Sequence, residues 1–247
     1  AYLDHYYKAN GVPLRARLFA NFGKLMPLGT GAMAPLANGV MRNPVVRTGL
    51  EKWMGLTTKR PFPTFARQSF SAWWASSEWR VASGESVVLF VDPFTNYNTP
   101  EVAIAAVEVL VAAGFEITVV AGDDGRPAIS KGLVKEATAL AKKTIAQLAP
   151  YAERDIPIVG LEPSSLLTLR DEYLYLLKED ARVEKVAAMA RTFEEFIANL
   201  ADAGTLELSF TDAPKEILLH GHCHQKSLVG TKPAHRALAL PPNYTVE

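Results

Sequence analysis

Apolar residues recur along the first 80 or so positions in clusters at helical spacing, broken by Gly11-Val12-Pro13, by Gly29 to Gly31, by Pro44 and by Pro61-Phe62-Pro63. The pattern predicts several short helices. Between Phe65 and Trp79 the chain is dense in Phe and Trp, with Arg67 and Arg80 nearby. Such side chains fill cores or face a neighbouring domain, and packing is the expectation ahead of a partner or cofactor contact.

From Ser86 the texture changes to short β-branched runs alternating with amphipathic stretches. SVVLFVD (86–92), EITVVA (116–121), IPIVGL (156–161) and EILLHGH (216–222) read as strands. Between them, TPEVAIAAVEVLVAAG (99–114) is a helix opened by Thr99 with Pro100 at its first position and closed by Gly114. Further helices are predicted from about Ser130 to Leu148, within EPSSLLTLRDEY, which reads as loop and helix, and as one long element around 181–201. Strands separated by helices of a dozen or more residues require parallel pairing through right-handed crossovers. The predicted fold is therefore α/β, with parallel-sheet βαβ units preceded by a helical N-terminal region and a boundary near residue 83.

In such sheets ligands gather beyond the carboxyl ends of the strands, which directs attention to DPFTNYN, GDDGRP, LEPSSLLTLRDEY and HGHCHQK. The last holds His220, His222, Cys223 and His224 within five residues, soft ligands of the kind zinc and iron take. Hydrogen-bonding of a strand end is the plainer reading. A continuing strand would put the histidines on one face and Cys223 on the other, whereas a tight turn would let them meet. Asp123 and Asp124 could hold a hard cation or act in acid–base work, although Asp-Asp-Gly is also a common turn sequence. Glu162, Arg170, Asp171 and Glu172 read as helix-start charges and surface pairs, with Ser164 or Ser165 as cap. Arg126, Lys131 and Lys226 read as solvated surface cations. A metal-dependent α/β enzyme using Asp123, Asp124, His222 and His224 is one function class this leaves open. No G-x-S-x-G elbow, P-loop or G-x-G-x-x-G after a strand is present.

Composition narrows the rest. Hydrophobic residues make up 49% of the 247 and charged residues 21%, which excludes disorder. The 26 Lys and Arg balance the 26 Asp and Glu, so no net field draws the chain to nucleic acid or anionic lipid. A single cysteine rules out an internal disulfide and any self-contained site of two or four thiolates. No run of about 18 apolar residues or signal-peptide pattern occurs, so a cytoplasmic setting is expected, with peripheral contact at the inner membrane face as a variant. A start without methionine and an end, LPPNYTVE, that reads as an incipient strand suggest a piece of a longer chain.

Taken in order, LFVDPFTNYNTPEV, GRPAISKGL, IPIVGLEPSSLLTLRDEY and HGHCHQKSLVG resemble the C-terminal region of large FAD-linked oxidases that carry a fused iron–sulfur module. That family includes D-lactate and related D-2-hydroxy-acid dehydrogenases. Its module is similar to the iron–sulfur subunit of glycolate oxidase and to the cysteine-rich domain of heterodisulfide reductase. DHYYKANGVPLRARLF through RPFPTFARQSF looks like the linker following the family's ferredoxin-like motifs. The resemblance thus covers nearly the whole chain and divides it into a helical linker or packing region (1–82) and a cysteine-rich-type α/β domain (83–247) truncated at its C-terminus.

The resemblance implies an electron relay from flavin to an acceptor, a quinone, a cytochrome or another carrier, through a 4Fe-4S cluster. FAD and the flavin domain lie in the parent enzyme, outside this chain. Cys223 matches the cysteine of the family's HGHCHQK motif. Asp123, Asp124 and Gly125 stand where the family has Cys-Cys-Gly, and Pro163, Ser164 and Ser165 where it has Pro-Ser-Cys. A second Cys-Cys-Gly would fall beyond Glu247. Replacing three thiolates by two carboxylates and a hydroxyl removes most of the affinity for a soft cluster. A degenerate module that packs on the flavin domain or a partner is the alternative to the relay.

Overall fold

The computed structural model describes residues 2–78 and 84–247. Trp79, Arg80 and the boundary expected near residue 83 lie outside the described residues. The N-terminal segment forms the short helices α1 (Tyr2–Asn10), α2 (Leu14–Ala20), α3 (Phe22–Gly29), α4 (Ala34–Arg42), α5 (Pro44–Met54) and α6 (Phe70–Ser76). The breaks read from the sequence become helix ends. Pro44 sits at the first position of α5, capped by the Asn43 side chain, which accepts from the amides of Val45 and Val46; Gly55 closes the helix at φ +64°.

The second part runs β1 (Ser86–Val91), α7 (Pro93–Tyr97), α8 (Pro100–Ala112), β2 (Glu116–Ala121), α9 (Arg126–Ser130), α10 (Val134–Ala152), β3 (Ile158–Gly160), α11 (Pro163–Arg170), α12 (Glu172–Leu176), α13 (Arg182–Met189), β4 (Ala190–Thr192) and α14 (Phe193–Asp202). Then follow β5 (Lys215–Ile217), α15 (Cys223–Leu228), α16 (Lys232–Leu238) and β6 (Tyr244–Val246). The main sheet is four-stranded, ordered β2-β1-β3-β4 and parallel throughout. The α/β expectation is met.

Alternation along β1 builds a core on each face. Val88 and Phe90 pack with Ile145, Leu148, Leu166 and Tyr173 of α10 to α12. Val87, Leu89 and Val91 point oppositely and join Phe70, Val107, Leu110 and Phe196 of α6, α8 and α14. The Phe and Trp stretch is therefore used in packing. Phe70 is fully buried, with the Trp73 and Trp74 rings 5.6 and 6.3 Å from its own.

Two elements differ from the sequence reading. The single helix expected around 181–201 is interrupted, because Thr192 and Glu195 form a capping box that starts α14 afresh. The residues freed just before it, Ala190–Thr192, add a strand beside β3. The strand expected over 216–222 shrinks to β5 and leaves the main sheet, pairing with β6 instead. Residues 218–222 run on without regular structure into α15.

Candidate functional site

The chain passes from β1 to β2 in one direction along the sheet and then crosses back over β1 to β3 in the other, so the order reverses between β1 and β3. A crevice opens at the carboxyl ends of such neighbours. Here Asp92 follows β1, and Glu162 lies two residues past β3. Asp92 caps α7, accepting from the amides of Phe94 (2.8 Å) and Thr95 (3.1 Å). Glu162 caps α11, accepting from the Ser164 amide at 3.1 Å and the Ser164 hydroxyl at 2.6 Å. The α11 cap is thus the glutamate and not a serine, since a carboxylate one residue upstream of Pro163 already holds the free amides.

Asp92, Asp124, Glu162, Ser164 and Ser165 line the floor of a cavity of about 550 Å³. Its roof is apolar and comes from the N-terminal helices and the segment after them: Phe19, Phe22, Met41, Leu50, Met54 and Phe65. Packing of α2 on α9 and of α3 on α7 seats this roof on the sheet end. Small side chains let α2 approach closely: Ala16 and Ala20 cluster with Ala128 of α9 and with Leu133 and Ala137 at the start of α10. Arg126 and Lys131 stand at the cavity wall and are not free surface cations. Arg126 pairs with Glu172, and the Lys131 ammonium lies 5.4 Å from the centre of the Phe19 ring.

The floor is acidic, with Asp92 and Asp124 buried. Burial pushes the Asp92 carboxyl above its ordinary range against the bonds from Thr95, and the nearby Glu162 pushes the same way. Burial also raises Asp123, opposed by the Gly125 amide. Asp124 is held well above the usual carboxylate range, first by burial and then by Asp92 and Asp123, despite the Arg126 amide that donates to its Oδ1 at 2.6 Å. The buried Tyr173 hydroxyl donates to the Asp124 carbonyl at 2.7 Å and fixes the loop from below. Asp123 Oδ2 and Ser165 Oγ are buried and find no hydrogen-bond partner among the described residues.

His222, Cys223 and His224 form a second cluster at the start of α15, which packs against α11. His222 Nδ1 accepts from the His224 amide at 3.2 Å, leaving Nε2 to carry the proton 3.6 Å from Glu162 Oε1. Cys223 is exposed, its Sγ 3.8 Å from His224 Nδ1. The helix start does what a tight turn would: one ligand atom from each of the three residues lies within 4.8 Å of the others. Among the described residues Asp123, Asp124 and His220 stand outside this group.

The sequence-derived candidates are therefore split, with Asp124 and Ser165 on the cavity floor, Asp123 beside it and Cys223 at the neighbouring helix start. This donor set does not suit a soft iron–sulfur cluster. It offers one thiolate, a carboxyl raised toward its neutral form and a buried hydroxyl. Asp92 was not singled out from the sequence, although Asp-Pro at a strand end is a helix-start signal that would have placed it.

Similarity to known proteins points the same way as the motifs. The chain is 27% identical over 249 residues to D-2-hydroxyglutarate dehydrogenase of Escherichia coli, covering 96% of this chain and 23% of that protein. It is 24% identical over 202 residues to one subunit of the anaerobic glycerol-3-phosphate dehydrogenase of E. coli, covering 79% of this chain and 50% of that protein. Lactate utilization protein A of Exiguobacterium is 30% identical over 155 residues, 60% of this chain and 61% of that protein. The chain is a distant homologue of these proteins. The resemblance read from its motifs holds at that level. The chain spans between about a quarter and three fifths of the length of these relatives. No family model matches it, and no solved structure matches it significantly. Among the described residues no helix is long and apolar enough to cross a membrane.

Proposed function

We propose that the chain is the cysteine-rich-type module of an FAD-linked 2-hydroxy-acid dehydrogenase of the D-lactate or glycolate type, one that keeps the module's architecture without its cluster. In the parent enzyme it packs on the flavin domain or a partner as a scaffold, and electrons bound for a quinone, cytochrome or other acceptor leave by another route. The homology to dehydrogenases and a dehydrogenase subunit supports the parent activity. The observation that carries the loss of the cluster is the chemistry at Asp123, Asp124 and Ser165, where the family resemblance calls for thiolates. The test is anaerobic reconstitution with iron and sulfide, followed by metal and acid-labile sulfide analysis of the wild type and Cys223→Ala. Neither is expected to retain stoichiometric iron. Iron and sulfide that bind the wild type and vanish in Cys223→Ala would restore the relay.

A second reading, compatible with the first, is favoured by the 4.8 Å grouping of His222, Cys223 and His224: a single borderline ion such as zinc at the head of α15, with Glu162 orienting His222. Cobalt titration checks it. A thiolate-to-cobalt absorption band that disappears in Cys223→Ala supports the site, and an unchanged spectrum overturns it.

A further inference from the structure

The cavity at the carboxyl end of the sheet is unexplained by a scaffold role. Its volume, about 550 Å³, falls within the range of small-molecule sites, and it sits at the strand-order reversal where α/β sheets bind ligands. Its roof is almost wholly hydrocarbon and aromatic. Its floor contains Ser165, 4% exposed, whose hydroxyl finds no partner among the described residues. An unpaired buried hydroxyl is costly, and because Ser165 lines the cavity, a turn of its side chain toward a ligand head would recover an interaction that the described residues do not supply.

We infer that this cavity binds a small apolar molecule with a neutral carbonyl or hydroxyl head, the head set against Ser165 on the floor and the hydrocarbon between α2, α3, α4 and α5. The inference rests on the proposed loss of the cluster, because Asp124 and Ser165, at two of the family's cysteine positions, form part of that floor. The lining selects a neutral head: it is almost wholly apolar, a charged head would give up its hydration there, and Arg126 on the wall is already paired with Glu172. The roof offers no polar partner for a second head, which excludes a molecule polar at both ends.

A head-group series of one chain length tests this: 2-octanone, octanoate and octylamine, titrated calorimetrically into the full chain. Octanone is expected to bind, with the two charged homologues at least tenfold weaker. Ser165→Ala should weaken octanone about five- to tenfold, the worth of one hydrogen bond, while leaving thermal stability equal to or above the wild type. Met41→Trp, which fills the roof, should abolish binding, and the Ser165→Ala arm stands whether or not that variant folds. A preference for octanoate or octylamine, octanone affinity unchanged in Ser165→Ala, or no octanone binding overturns the inference. Iron and sulfide assays on the same samples separate the two claims. Iron-free protein that ignores octanone overturns the ligand site alone, and iron-bearing protein that ignores it overturns both.

Discussion

Tyr173→Phe isolates one of the two side-chain bonds that tie the Asp123–Asp124 loop to the core, the other being the 3.2 Å bond from the Thr144 hydroxyl to the Asp123 carbonyl. The ring is fully buried among the residues of α10, α11 and α13, and the substitution leaves that packing in place. Only the hydroxyl goes, and with it the 2.7 Å bond to the Asp124 carbonyl. A net hydrogen bond is worth about 1 kcal/mol, and a buried carbonyl left unpaired raises the loss to about 1–3 kcal/mol. For a chain of this size each kcal/mol lowers Tm by about 2–4 °C. Urea denaturation followed by far-ultraviolet dichroism measures the free energy, with Tyr175→Phe as control because Tyr175 is 79% exposed. The control should stay within about 0.5 kcal/mol of the wild type. A Tyr173→Phe protein equally close to the wild type would refute the claim that the loop is held through this hydroxyl.

Asp124→Asn keeps an acceptor for the Arg126 amide and removes the ionisation. Because the folded-state carboxyl is raised, its contribution to stability is fully present below about pH 3.9, the unfolded value, and is lost as pH rises through the folded value. The variant's advantage in urea midpoint should therefore grow from pH 4 to pH 8, and a constant difference would count against it. Gly160→Ala places a methyl 2.7 Å from Leu166 Cδ1 and 2.9 Å from Leu166 Cβ, so β3 and α11 must separate. The cost should be about 1–3 kcal/mol, and a neutral result in the same urea assay would refute that close approach. Thr192→Ala deletes half of the capping box that splits α13 from α14 and should cost about 1 kcal/mol; stability equal to the wild type would show the box to be idle.

How much of this was legible in the sequence depended on how local each signal is. The strands at β1 and β2 are written in β-branched runs whose ends match the structure to within one residue, and α8 in its Thr-Pro start and Gly114 stop. β4 was hidden because Ala-Arg-Thr has no strand signature; it is made by its neighbours, and only the Thr-x-x-Glu spacing of Thr192 and Glu195 marks the break. EILLHGH carries a strong strand pattern that tertiary context overrides, since β5 finds its partner in the last residues of the chain. The loops after β1, β2 and β3 were placed correctly, whereas HGHCHQK follows a strand that lies outside the main sheet. The roof was not foreseeable, because which helix covers which sheet end is a long-range fact. Arg126 and Lys131 looked like surface charges for the same reason.

The positions of Asp123, Asp124 and Ser165 relative to Cys223 decide whether a cluster could ever be held here, and restoring thiolates tests this most directly. In the Asp123→Cys, Asp124→Cys, Ser165→Cys triple variant four cysteines are available near the sheet end, counting Cys223. After anaerobic reconstitution the variant should take up stoichiometric iron and sulfide with visible charge-transfer absorbance, while the wild type stays colourless. A wild type that binds as much iron as the variant, or a folded variant that binds none, would contradict the claim that this is a cysteine-rich module with its cluster ligands replaced.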